Sequence, residues 1–111
     1  MRNTADFRRT IRRGVRVGRP TVVVHAQPSG QPTVRVGLVV AKTVGNAVTR
    51  NRVKRQLRHL AASCLPETPA GLDLVLRALP SAAHHPDELR TDLPEAWQAA
   101  TAKLARREDP L

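Results

Sequence analysis

The residues best suited to chemistry in this sequence are cations, and they are concentrated in one short stretch. Five cations and an asparagine lie between positions 50 and 58, and the stretch holds no acid: Arg50, Asn51, Arg52, Lys54, Arg55 and Arg58. Guanidinium groups bind phosphate oxygens in a bidentate manner, which makes arginine the preferred residue for phosphate recognition. The stretch therefore indicates binding of a polyanion.

The charge of the whole chain is divided unevenly along its length. Nineteen Lys and Arg residues face nine Asp and Glu residues, which gives the 111-residue chain a net charge of +10. Residues 1–60 contain 14 of the cations and a single acid, Asp6. A solvated face normally mixes signs, because like charges three or four residues apart destabilise a helix. This distribution favours nucleic acid as the partner over an anionic membrane or a solubility device.

Other function classes lack the residues that they need. Cys64 is the only cysteine, so an internal disulfide is excluded, and no apolar run approaches the ~20 residues of a membrane span. The basic half contains no Ser-His-Asp, Cys-His or paired-carboxylate pattern, and His84-His85 lack a third metal ligand at a useful spacing. We therefore expect a single cytoplasmic domain without an active site or a metal site of its own.

The basic stretch is predicted to lie on a helix over Ala47–Cys64. Apolar residues at helical spacing form one stripe, and the cations fall on the opposite face. The stripe consists of Val53, Leu57, Leu60, Ala61 and Cys64. Without interleaved glutamates the cations repel one another, so the helix is expected to meet phosphates.

The remaining elements follow from periodicity and turn signals. A short helix over Phe7–Arg13, capped by Asp6, is predicted to precede the sheet. A final amphipathic helix is expected to kink or restart at Pro94, before a frayed tail over 106–111. Strands are predicted over 21–26, 34–42 and 71–78, with the first two paired as a hairpin, Asp73 exposed in the last, and a short extra strand near 15–17.

The stretch from Arg35 to Arg58 closely resembles the signature of the protein subunit of bacterial ribonuclease P. Its core is RNRVKR at 50–55, preceded by KTVGNAV from Lys42. Asp6-Phe7 followed by Gly14 is similar to the first helix of that family, and 71–78 is similar to the strand after its basic helix. The resemblance covers nearly the whole chain.

The resemblance implies an α+β fold in which helices pack on a small sheet in the order αβββαβα. It also implies a left-handed β-α-β crossover through the basic helix, as in the second domain of ribosomal protein S5. We therefore expect one domain over 1–111. It would comprise a basic RNA-binding part at 1–65, an acidic-leaning strand and helix at 66–105, and the tail.

The resemblance further implies a ribonucleoprotein endonuclease that removes the 5′ leader from precursor tRNA by metal-dependent hydrolysis. The RNA subunit would perform catalysis with magnesium, and the protein would hold no cofactor. The expected partners are the catalytic RNA and the single-stranded leader, with no membrane and no DNA. A structural or chaperone-like RNA-binding protein is the alternative.

Carried over by position, the six residues of the basic stretch would contact the catalytic RNA. A second set would line or flank a leader cleft: Phe7, Ile11, Val22, His25 and Lys42. Ile11, Val22 and His25 stand where relatives often carry aromatic residues, so base stacking would be weaker. Phe7 is compatible with a core position as well as a cleft wall, and His25 with an ordinary packed or surface histidine.

Overall fold

The chain folds as a four-stranded sheet with three helices in the computed structural model, which describes residues 4–108. The elements are α1 (Thr4–Arg13), β1 (Val15–Gly18), β2 (Val22–Pro28), β3 (Arg35–Val39), α2 (Ala47–Cys64), β4 (Leu72–Ala78) and α3 (Pro86–Glu108), with 3-10 turns at Lys42–Val44, Leu65–Glu67 and Pro80–Ala83. The predicted αβββαβα order and the bounds of the basic helix are confirmed. Within residues 4–108, none of the helices has the length and apolar character of a membrane span.

The strands lie in the order β1-β2-β4-β3, so the predicted hairpin between the second and third strands is wrong. β2 pairs antiparallel with both β1 and β4, whereas β3 pairs parallel with β4 at the far edge. The short extra strand predicted near 15–17 is β1, and it forms the hairpin with β2 instead. β4 is buried on both faces, which favours a central position with a neighbour on each side. The crossover from β3 through α2 to β4 makes β3 the second neighbour of β4.

The hydrophobic core lies on one face of the sheet, under α2 and α3. Alternate residues of β2 and β4 point into this face, among them Val24 and Leu76, and Trp97 of α3 is buried against it. The Trp97 indole N–H donates to the Thr68 hydroxyl at 2.9 Å. α1 packs against β2 and β4 and contacts the opposite set of alternate residues. The sheet therefore separates the main core from α1.

Three helix boundaries differ from the sequence prediction. α1 already includes Thr4, so Asp6 lies within its first turn rather than before it. α3 continues through Pro94, because residues on both sides of the proline are buried in the core. α3 also includes residues 106–108, expected in the frayed tail, and Arg107 ties this end down by donating to the Arg13 carbonyl at 2.8 Å. Residues 109–111 of the expected tail lie outside the described residues.

Gly14 ends α1 at a point where two backbone segments meet. A Cβ atom there would lie 2.3 Å from the Thr10 carbonyl oxygen and 2.5 Å from that of Ala26. Both atoms belong to the main chain and cannot rotate away, so only glycine fits. Gly18 at the end of β1 has open space around the same position.

We predict that Gly14→Ala lowers the free energy of unfolding by about 1–3 kcal/mol through overpacking. Gly18→Ala is the matched control and should change it by less than ~0.5 kcal/mol, because nothing obstructs the added methyl group. Urea unfolding of both variants provides the comparison. Equal effects of the two substitutions would contradict the proposed close approach.

Candidate nucleic-acid interface

The basic helix begins with an uncharged cap. The Asn46 side-chain oxygen accepts a hydrogen bond from the Thr49 backbone N–H at 2.9 Å, which satisfies one of the free amides at the start of α2. The first turn of α2 contains no acid. The positive end of the helix dipole therefore adds to the field of the cations that follow.

The buried stripe of α2 turns the basic stretch toward the surface. Val53 and Leu57 are fully or almost fully buried, and Leu60 and Ala61 complete the stripe. The six predicted RNA contacts lie outside it: Asn51, Arg52, Arg55 and Arg58 are exposed, and Arg50 and Lys54 are half-buried. The helix thus presents its cations on a continuous surface.

The cations of α2 have no acidic partner in the described part of the chain. Every ion pair among residues 4–108 involves one of four other arginines: Arg9, Arg19, Arg35 and Arg90. The repulsion along α2 is therefore not relieved within the described residues. An external polyanion would relieve it.

A groove of about 670 Å³ runs between α1 and α2, along the β3 edge of the sheet. Phe7 of α1 forms one wall, and Lys54 and Arg58 of α2 form part of the other. The full lining is Phe7, Val36, Gly37, Leu38, Lys54, Arg58, Ala61, Ala62 and Leu65. An apolar floor with an aromatic ring and two cations is suited to an unpaired nucleotide strand.

The Phe7 ring lies directly on the backbone of β3. A Cβ atom at Gly37 would lie 2.4–2.5 Å from two ring carbons, so the absence of a side chain at this position creates the seat for the ring. Phe7 itself is half-buried. It can therefore pack on the sheet and still present part of its ring to the groove.

The structure does not bring the five predicted leader-cleft residues together. Only Phe7 lines the groove. Ile11 is 36% exposed, one turn further along α1, and Lys42 is exposed in the turn that precedes α2. Their roles as flanking contacts stay a prediction. Val22 is fully buried in the main core and has no surface to offer a ligand.

His25 is buried beside two arginines on the α1 face of the sheet. It is only 2% exposed and pairs across the strands with Arg16. Burial lowers its pKa to about 4, and the positive charges of Arg77 and Arg16 act in the same direction. Neither ring nitrogen has a hydrogen-bond partner among the described residues. Within the same residues, no three His, Cys, Asp or Glu side chains are grouped so that they could hold a metal ion.

Sequence reasoning missed the polar cluster beneath α1. Asp73, expected to be exposed, is fully buried and accepts hydrogen bonds from Arg35 at 2.7 Å. Arg9 of α1 reaches the same carboxylate at 3.3 Å. The single acid of a strand that is apolar apart from Asp73 and Arg77 was the available signal, because such an acid is buried only with a cation beside it.

The sequence matches the family Ribonuclease P over residues 1–101. A Kocuria rhizophila protein named ribonuclease P protein component is 52% identical over 108 residues, which span 96% of this chain and 92% of that protein. Among solved structures, the ribonuclease P protein of Staphylococcus aureus is similar with a TM-score of 0.77 at 26% identity, covering 91% of this chain and 87% of that chain. That of Thermotoga maritima shares the fold with a TM-score of 0.75 at 22% identity, covering 93% and 94%.

We predict that His25 titrates with a midpoint near 4, far below its ordinary 6.5. Between about pH 4 and pH 6.5, the imidazole is then protonated in the unfolded chain and neutral in the folded chain. Stability should therefore fall as the pH drops from about 6.5 to about 4, with no contribution above 6.5. NMR of the imidazole Cε1–H signals measures the midpoint, and His25→Gln identifies the signal. A midpoint at or above 6.5 would contradict the burial.

Proposed function

The chain belongs to the ribonuclease P protein family, and from this premise we propose that it acts in the endonuclease that removes the 5′ leader from precursor tRNA. In this proposal the RNA subunit performs a metal-dependent hydrolysis in the cytoplasm. The protein binds that RNA and the leader. The observation that carries the proposal is the unneutralised cationic surface of α2 beside a groove with an aromatic wall.

The outward face of α2 is our candidate for the contact with the catalytic RNA. We define this face by four residues on one side of the helix: Val48, Arg52, Arg55 and His59. All four are exposed, and Val48 is 70% exposed although it is apolar. Two guanidinium groups around an exposed apolar residue can bind phosphates while the valine contacts sugar or base surface.

The groove is our candidate for the leader, and it divides the basic stretch into two functional sets. Lys54 and Arg58 are four residues apart and line the groove rather than the outward face. Cations that follow the backbone and an aromatic ring on which a base stacks are the elements of single-strand binding. Lys54 and Arg58 would contact leader phosphates, and Phe7 would stack on one base.

The chemistry itself is assigned to the RNA subunit, together with its magnesium ions. The groove lining contains cations, an aromatic ring and apolar side chains, but no carboxylate, hydroxyl or imidazole group. Such a lining can position a strand but offers no general base or nucleophile of its own. Neither a membrane nor DNA is needed as a partner.

Reconstitution with the catalytic RNA tests this function. We expect protein freed of RNA to leave precursor tRNA uncleaved, and the RNA alone to cleave slowly at high magnesium. The two together should cleave at low magnesium and bind a long-leader precursor more tightly than one with a one-nucleotide leader. Cleavage at the mature 5′ end by the protein alone would contradict the accessory role. RNA binding without any effect on cleavage would favour a structural RNA-binding protein.

A double variant tests the outward face of α2. Arg52→Ala with Arg55→Ala should weaken binding of the catalytic RNA by about 1–3 kcal/mol per lost contact and make its salt dependence shallower. The melting temperature should not fall, since the two side chains are exposed and repel their neighbours.

The matched control removes two exposed arginines from α3, Arg90 and Arg106. It subtracts the same charge from a helix outside the basic stretch, so it reports the general electrostatic effect. Salt titrations of RNA binding compare the two double variants. Equal losses of affinity would remove the outward face of α2 from the interface.

A further inference from the structure

The attachment of α1 to the sheet depends on few apolar contacts. No residue of α1 belongs to the main hydrophobic core, and the only fully buried residue of the described helix is Thr10. The Thr10 hydroxyl donates to the Asp6 carbonyl of the same helix and so contributes nothing across the interface. The Phe7 ring on Gly37 is one apolar contact with the sheet. Polar contacts must therefore supply much of the attachment.

Those polar contacts converge on one buried carboxylate. Arg35 of β3 binds Asp73 of β4 in a fork, with Nε on Oδ1 and Nη2 on Oδ2, both at 2.7 Å. The two residues are register partners on parallel strands and share the face that carries α1. A bidentate pair of this geometry is among the strongest charge-assisted hydrogen bonds.

α1 joins this pair through two of its own residues. Arg9 Nη2 lies 3.3 Å from Asp73 Oδ2 and 3.3 Å from Asp6 Oδ1. Arg35 Nη1 lies 3.3 Å from Asp6 Oδ2. Two acids and two arginines thus form a closed, charge-balanced cluster across α1, β3 and β4. We call these four residues the Asp73 cluster.

The Asp73 cluster adjoins the seat of the Phe7 ring. On β3, Gly37 lies two residues after Arg35 and on the same face of the sheet, and on α1 Phe7 lies between Asp6 and Arg9. A shift of α1 that breaks the cluster would therefore also move the ring off Gly37. The ring is the α1 wall of the groove.

We infer that Asp73 is a positioning residue for leader binding, holding α1 at the position in which Phe7 completes the groove. This inference rests on the proposed function of the groove. Asp73 is fully buried and touches no ligand itself; it acts through Arg9 and Arg35. Without the Asp73 charge, Asp6 alone would face two arginines beneath α1, and one positive charge there would be uncompensated.

The test compares Asp73→Asn with Asp92→Asn, the same change on the other side of the sheet. Asp92 of α3 accepts hydrogen bonds from the Thr21 backbone N–H at 3.1 Å and from its hydroxyl at 2.7 Å. Loss of the Asp92 charge therefore lowers stability without touching α1.

A second pair of variants covers the case in which Asp73→Asn fails to fold. Arg9→Met removes the direct contact of α1 with Asp73, and Arg12→Met removes an exposed arginine of the same helix.

Two readouts report the position of α1. The first is an NMR contact between Phe7 and Gly37, and the second is an affinity for RNA substrates. Phe7 is the only phenylalanine, so ring-labelled phenylalanine gives one NMR spin system, and its nuclear Overhauser effect to the Gly37 α-protons reports the seated ring. The second readout is the ratio of holoenzyme affinities for long-leader and one-nucleotide-leader precursors. In Asp73→Asn and Arg9→Met we expect the Overhauser effect to weaken and the ratio to fall by about tenfold, the size of one lost base stack. Asp92→Asn and Arg12→Met should retain both.

The outcomes separate this inference from the proposed function. If folded Asp73→Asn, or Arg9→Met in its place, keeps both the Overhauser effect and the affinity ratio, Asp73 does not position α1. If the affinity ratio falls as far in both control variants as in Asp73→Asn and Arg9→Met, the effect is one of general stability or charge, and the inference is also wrong. If the wild-type holoenzyme does not distinguish the two leaders, the groove is not the leader site. The Overhauser effect then still decides whether Asp73 seats Phe7.

Discussion

The apolar stripe of α2 is the constraint on which the rest of this structure depends, because it holds a helix whose charges repel one another. Arg50, Lys54 and Arg58 are spaced four residues apart, and each like-charged pair costs a few tenths of a kcal/mol. Burial of a single leucine side chain such as Leu57 returns about 1.5–3 kcal/mol. Packing therefore outweighs repulsion, and the helix can keep its cations unpaired at the surface.

The distribution of the acids completes this arrangement. Asp6 and Asp73 belong to the Asp73 cluster, and Asp92 binds Thr21 just before β2. These carboxylates organise the fold and leave the cations of α2 without internal partners. The structure thus separates arginines that attach elements to one another, such as Arg35, from arginines that are available to a polyanion, such as Arg52.

In the proposed function, recognition of unpaired bases by the groove depends on a single aromatic residue. With one phenylalanine and no tyrosine in the chain, the Phe7 ring is the surface on which a base would stack in that proposal, beside Lys54 and Arg58. The seat of this ring at Gly37 and the polar attachment of α1 therefore determine where this aromatic surface lies in the groove.

The local elements and the class of partner follow from short-range patterns and charge in the sequence. Helical spacing predicts α2 from Ala47 to Cys64, because that signal repeats every three or four residues. The absence of acids between Arg8 and Pro66 indicates a polyanion, because charge can be counted without knowing which elements are neighbours. The sequence did not determine which strands are neighbours. The turn-rich segment after β2 suggested a hairpin with β3, but β4 lies between them. Strand pairing joins residues far apart in the chain, so no local pattern specifies it.

The same reason explains which residues of the site were missed. Asp73 and Arg35 are 38 positions apart, and only their register on parallel strands brings them together, so the local pattern alone predicts an exposed Asp73. The family resemblance places Val22 in a cleft by its position in the chain, but the alternation of side chains along β2 turns it into the core. The residues that carry charge could be read from the sequence. The face each strand residue presents, and the groove between α1, β3 and α2, were decided only by the tertiary packing of elements distant in the chain.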